Sequence, residues 1–176
     1  MLMAVEELKK YIDTDTADAV LEAMLQSLEL AIRGYTHNNF QNVGCRVTAT
    51  VQGDKIICDS PHPFVAGDTV QISQSASNNG LYVVAEVLND ETIRINGTLS
   101  VEYPVLVTRI DYPADVKYGA AKLIKWELDS GDKVGIQSET ISRHSVTYFN
   151  MDGDNSTMGY PKSLVGFLMP HRKARF

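Results

Sequence analysis

A chain of 176 residues fits one domain, or one domain with a small second one. Its 44% hydrophobic and 22% charged residues suit a globular protein with a core, and its net charge of −6 argues against tight binding to a nucleic-acid backbone, which needs a basic face. The two cysteines, Cys45 and Cys58, form no CxxC pair, so both read as small buried thiols rather than metal or redox ligands.

Met1 to Ile12 is charged and lacks the apolar stretch of a signal peptide. No apolar run approaches the roughly 20 residues that span a bilayer, so no membrane partner is expected. Val5, Leu8 and Ile12 have the spacing of a short amphipathic helix. Asp13-Thr14-Asp15-Thr16 breaks it and offers capping oxygens to the next helix. There Ala17, Val20, Leu21, Met24, Leu28, Ala31, Ile32 and Tyr35 recur on one face. That stripe fits a core face or a subunit interface.

The helical pattern stops near Phe40 and resumes near Pro113. Between them the chain reads as β. Arg46 to Val51 and Lys55 to Cys58 flank a Gly53-Asp54 turn. Gly67-Asp68 leads into Thr69 to Ser73, Asn79-Gly80 into Leu81 to Leu88, and Asn89-Asp90 into Thr92 to Ile95, which Asn96-Gly97 ends. Val105 to Ile110 alternates once more. About six short strands predict a small β-barrel or sandwich.

Pro113 suits the first turn of a helix carrying Val116, Ala120, Leu123, Ile124 and Leu128, with Gly131 as its stop. Ile136 to Phe149 reads as two extended pieces around Ser142-Arg143-His144, and Met151 to Gly159 as a loop. Pro161 starts a short helix that Pro170 ends. The whole is α+β: a small helical bundle from 1–43 and 112–176, with an inserted small β-barrel or sandwich over 44–111.

Three of the 16 basic residues, Arg172, Lys173 and Arg175, stand in the last five positions, so the rest of the chain is more acidic than the whole. A basic tail, His171-Arg172-Lys173-Ala174-Arg175-Phe176, on an acidic body can dock on an acidic patch of a partner.

No motif for enzyme chemistry is present. Asn150, Asp152 and Asp154 lack the glycine and glutamate of a calcium loop. No GxGxxG, Walker loop or GxSxG occurs. His37, His62, His144 and His171 lie far apart without ligand spacing. No cofactor or metal is therefore expected.

With the insert set aside, the flanks resemble the head–tail connector (adaptor) proteins of tailed bacteriophages, including related prophage proteins of Gram-positive hosts. Val5-Glu6-Glu7-Leu8-Lys9-Lys10-Tyr11-Ile12, the acidic break and the long helix ending Gly34-Tyr35-Thr36 carry the first part of it. Ile136 to Ile141 with Ser145-Val146-Thr147-Tyr148 carries the second, although Ser142-Arg143 stands where many relatives have glycine. Tyr160-Pro161, an apolar helix and Leu168-Met169-Pro170-His171-Arg172 carry the third. The resemblance implies a connector-like helical fold and a homo-oligomeric ring, usually twelve-fold, under the portal protein in the virion neck. The protein would be made in the bacterial cytoplasm. The ring would extend the DNA channel, letting DNA pass without specific binding, and offer a platform to stopper or tail-completion proteins. The resemblance suggests the tail residues His171, Arg172, Lys173, Arg175 and Phe176 for portal contact. It suggests Leu21, Met24, Leu28, Ser138, Glu139, Arg143 and His144 for a subunit interface or channel loop. The alternative is a stand-alone β-barrel binding module with a helical support.

Overall fold

The computed structural model describes residues 1–130, 138–141, 144–147 and 155–174, with the backbone alone in the two middle stretches. The protein is mixed α and β. It divides into two compact units: Asn39–Tyr112 with Met1, and Leu2–Asn38 with Pro113–Phe176.

The second unit holds the helices. They are α1 (Val5–Leu8), α2 (Asp18–Thr36), α3 (Ala114–Ser130) and α4 (Lys162–Val165), which runs on into a 3-10 segment, Gly166–His171. Pro170 lies inside that segment instead of ending the helix before it. On α2 the buried residues are Leu21, Leu25, Leu28, Glu29, Ile32 and Thr36, the spacing of one helical face. The stripe expected from sequence is wider than that face: Ala17 and Val20 are exposed, and Met24 and Ala31 are half-buried. The expected capping oxygens do not cap α2. Ala17 stands at its N-cap without a side-chain bond, while the Thr14 and Thr16 hydroxyls bond each other at 2.8 Å. Asp18 in the first turn suits the helix dipole and pairs with Lys9 at 2.6 Å.

Helix α3 buries Val116, Gly119, Ala120, Ala121, Leu123 and Ile124. Gly119 lets the Phe167 ring of the 3-10 segment pack directly on α3, and a Cβ there would have to displace that ring. Glu7 accepts from Lys117 at 3.2 Å and Tyr11 meets Tyr118 edge-on at 5.9 Å, which ties the α1 region to α3.

Two short hairpins complete this unit. Strand β5 (Ser138–Ile141) pairs antiparallel with β6 (His144–Thr147), with Ile141 opposite His144. Part of the loop expected over 151–159 is a second hairpin, β7 (Ser156–Thr157) with β8 (Tyr160–Pro161). Its two turn residues, Met158 and Gly159, both have positive φ, 58° and 81°, as a type I′ turn needs.

The β unit is one antiparallel sheet of β1 (Gln41–Cys58), β2 (Thr69–Ser73), β3 (Gly80–Asn89) and β4 (Thr92–Ile110), in the order β1-β4-β2-β3, with β4 also pairing with β3. It contains four strands in place of the six short ones expected, and it is not a closed barrel. The difference has a local cause. Gly53 (φ 62°) and Gly97 (φ 146°) let β1 and β4 bend while staying paired, so two turn signals fall inside long strands. The two halves of β4 serve different partners. Val107 pairs with Val47 on one side and Ile72 on the other, while Ile93 pairs with Ile56 and Val87. Ala49, Val51, Ile56, Val70, Ile72, Ile93, Val105 and Val107 form a fully buried core.

The Gln74–Asn79 loop between β2 and β3 is fastened to β4 by one carboxylate. Glu102 accepts from Ser75 Oγ at 2.5 Å, Ala76 N at 2.6 Å and Asn78 Nδ2 at 2.9 Å. Asn78 also donates to Ser100 O and accepts from Ser100 N, at 3.1 and 2.9 Å. With Glu102 turned to the loop, strand alternation turns Val101 and Tyr103 outward, where they are 73% and 62% exposed.

Candidate interaction surfaces

Some of the side chains expected from sequence fall on two surfaces of the helical unit, the groove beside α2 and the tail. The first is a groove beside the buried face of α2. Val20, Met24, Ser27 and Ala31 follow one another at helical spacing along its floor. Glu127 of α3 and Met158 and Tyr160 of the β7–β8 hairpin form its wall, around a volume of about 340 Å³. The Tyr160 hydroxyl donates to Glu127 Oε2 at 2.6 Å, and the Trp126 ring meets Tyr160 edge-on at 5.7 Å. Burial first, and then the Glu127 carboxylate, push the Tyr160 phenol well above its ordinary value. The floor is mostly apolar, with Ser27 as a polar member, and the hydroxyl–carboxylate pair in the wall is engaged within the subunit.

This geometry separates the three α2 residues named for the interface. Met24 is half-buried and lines the groove. Leu28 also lines the groove although it is only 3% exposed, whereas Leu21, at 0%, is buried in the subunit and is not among the lining residues. Ser138, Glu139 and His144 lie on β5 and β6. Arg143 lies outside the described residues.

The second surface is the tail, which is fastened to its own unit. His171 Nε2 lies 2.7 Å from Asp115 Oδ2, and the His171 carbonyl accepts from Asn38 Nδ2 at 3.2 Å. That His171 bond is the main reason the Asp115 carboxyl sits below its ordinary range. The Arg172 guanidinium stacks 5.0 Å from the Tyr35 ring centroid, and Tyr35 OH donates to Met169 Sδ at 3.5 Å. Lys173 N donates to Thr36 O at 2.8 Å, satisfying a carbonyl that the end of α2 leaves open. Arg175 and Phe176, the other tail residues expected at a partner, lie outside the described residues.

Sequence reasoning missed the groove wall and the tail's anchors. Tyr35, Asn38 and Asp115 are separated from their tail partners by 134, 133 and 56 positions, so no local pattern joins them. Glu127 with Tyr160, Asp115 with His171 and Tyr35 with Met169 form pairs that hold segments together. Among the described residues, no group of three His, Cys, Asp or Glu converges as a metal site would require. No described helix is long and apolar enough to cross a membrane.

No family model matches this chain, and no curated protein matches it.

Proposed function

We propose that the protein is a structural subunit of a tailed-bacteriophage neck, a head–tail connector that forms a homo-oligomeric ring under the portal protein. The observation that carries this reading is the composition of the helical unit. Leu2–Asn38 and Pro113–Phe176, the two flanks with the connector-like pieces, join as one unit although a β unit separates them in sequence. On this reading the helices are a connector-like bundle. The ring would be a dodecamer in the virion, with the β unit as an addition displayed on its outside.

The groove on α2 supports a head-to-tail contact, because a ring needs one surface that accepts a different surface of the next copy. Met24, Val20 and Ala31 supply its apolar floor. An overall charge of −6 supports a channel through which DNA slides, since phosphate contacts are what retain DNA. The cations of the tail supply the contact to an acidic portal surface, and the platform below takes a stopper or tail-completion protein. No catalysis and no cofactor enter this role. Co-expression with the portal protein of the same phage, followed by size-exclusion chromatography, tests it: the two should co-elute, and separate elution at all concentrations would count against it.

The second reading, a binding module carried by a helical support, is favoured by one observation. Val101 and Tyr103 stand exposed on the same side of β4 in a unit with its own core. If partner capture survives Met24→Ser and tail substitutions but is lost with Val101→Ser and Tyr103→Ser, this reading replaces the ring.

A further inference from the structure

Two tyrosines of the helical unit keep nearly half of their surface in solvent, Tyr11 at 44% and Tyr118 at 49%. Their rings meet edge-on, and Lys122 Nζ lies 4.4 Å from the Tyr118 ring centroid. From Tyr118 to Lys125 the exposed residues of α3 are Tyr118, Lys122 and Lys125, at the i, i+4 and i+7 spacing of one face. The bond between Lys117 and Glu7 ties α1 to α3, so the two rings are set in place before any partner arrives. Glu127, in the groove wall, stands nine residues beyond Tyr118, and nine residues turn a helix by about two and a half turns. The tyrosine patch and Glu127 therefore leave α3 on opposite sides.

We infer that the patch of Tyr11, Tyr118 and Lys122 is the surface that the α2 groove of a second copy accepts. This rests on the head-to-tail reading of the groove and names the other half of that contact. The two surfaces are complementary in shape of chemistry and in charge. The patch offers aromatic rings beside an ammonium group, and the groove offers Val20, Met24 and Ala31 beside a carboxylate. Tyrosine suits such a contact, because a rigid ring covers much area at a small cost in entropy. Glu127 is exposed and gives Oε2 to Tyr160, and a carboxylate has acceptor sites to spare for an ammonium. Within one subunit the patch and the groove wall look away from each other, so they meet only between copies. A pair joined this way still presents a groove at one end and a patch at the other. Subunits therefore add in one direction until a ring closes.

Sedimentation velocity of the full chain at rising concentration, alone and with the portal protein of its own phage, tests this. Tyr11→Ser with Tyr118→Ser removes the patch, and Val20→Ser with Met24→Ser removes the groove floor. Each pair should weaken self-association about tenfold or more, the loss expected for a central aromatic or apolar anchor. Mixed in equal amounts, the two variants should form a two-chain species and nothing larger, because each keeps the surface that the other lacks. Lys122→Glu, which leaves both rings in place, should also weaken association, and more at low salt than at high. Association of the tyrosine variant equal to the parent's, or a mixture that stays as single chains, would overturn the inference. Rings that close without the two tyrosines would overturn the patch and leave the connector reading standing. Open chains that need the tyrosines but never close would keep the contact and overturn the ring. A parent that stays single at every concentration, with the portal present, would overturn both.

Discussion

Ser75 Oγ donates to Glu102 Oε2 across 2.5 Å, and that bond fastens the loop between β2 and β3 onto β4. Glu102 is held below its ordinary value of 4.5, first by Ser75 and then by the Ala76 backbone. A carboxyl depressed in the fold contributes stability that is complete above the unfolded value and is lost as pH falls through the folded one. Chemical denaturation of the parent and of Glu102→Gln should therefore differ near neutral pH and converge as the solution is acidified below about pH 4.5. Asn78→Ala removes the other arm of this clasp and leaves the Ser100 backbone groups without their partner. It should cost about 1–3 kcal/mol.

Tyr160 gives the opposite sign. Its phenol is raised above the ordinary value of 10, because burial and Glu127 both disfavour the phenolate. Its contribution is complete below pH 10 and is lost as pH rises toward the folded value. Part of the alkaline loss of stability should disappear in Tyr160→Phe. An ultraviolet titration of the parent should contain a tyrosine component that ionises above pH 10 and is missing from Tyr160→Phe.

The two thiols should differ in reactivity. Cys58 is buried, and burial, then Asp59 and Glu91, push it up to about 12. Cys45 is half-buried and lies on the same strand. Labelling at pH 8 should modify Cys45 first and reach Cys58 only with denaturant, since the thiolate is the reacting form. Equal rates at both sites in the folded protein would refute this.

On α2 two adjacent ridges should separate fold from assembly. Leu25→Ala, in the buried face, should cost about 2–5 kcal/mol. Val20→Ser, on the exposed side of the groove, should change stability by only about 0.5 kcal/mol. If the protein closes the proposed ring, the same change should weaken closure measured by sedimentation.

The helices were legible because each carries its own periodicity. Leu21, Leu28 and Ile32 announce α2, and Ala120, Leu123 and Ile124 announce α3. The width of the buried face was not, because the groove residues Met24 and Ala31 are as apolar as the core residues beside them. The strand count failed at Gly53 and Gly97. Glycine with positive φ serves a turn and a bend in a continuing strand equally well, and only the cross-strand register decides which. The tail was legible as a charge cluster, whereas its attachment depends on Tyr35 and Asp115, which only the fold brings to it. The Glu102 clasp was invisible for the same reason, since a charged residue between Val101 and Tyr103 reads as the outward one.

In the proposed function the subunit closes into a ring. Negative-stain electron microscopy of the protein purified with the portal protein of its own phage tests it most directly. Closed rings with an axial channel, stacked on the portal and lost with Val20→Ser and Met24→Ser together, are expected. Single subunits that stay apart at every concentration, with the portal present, would contradict it.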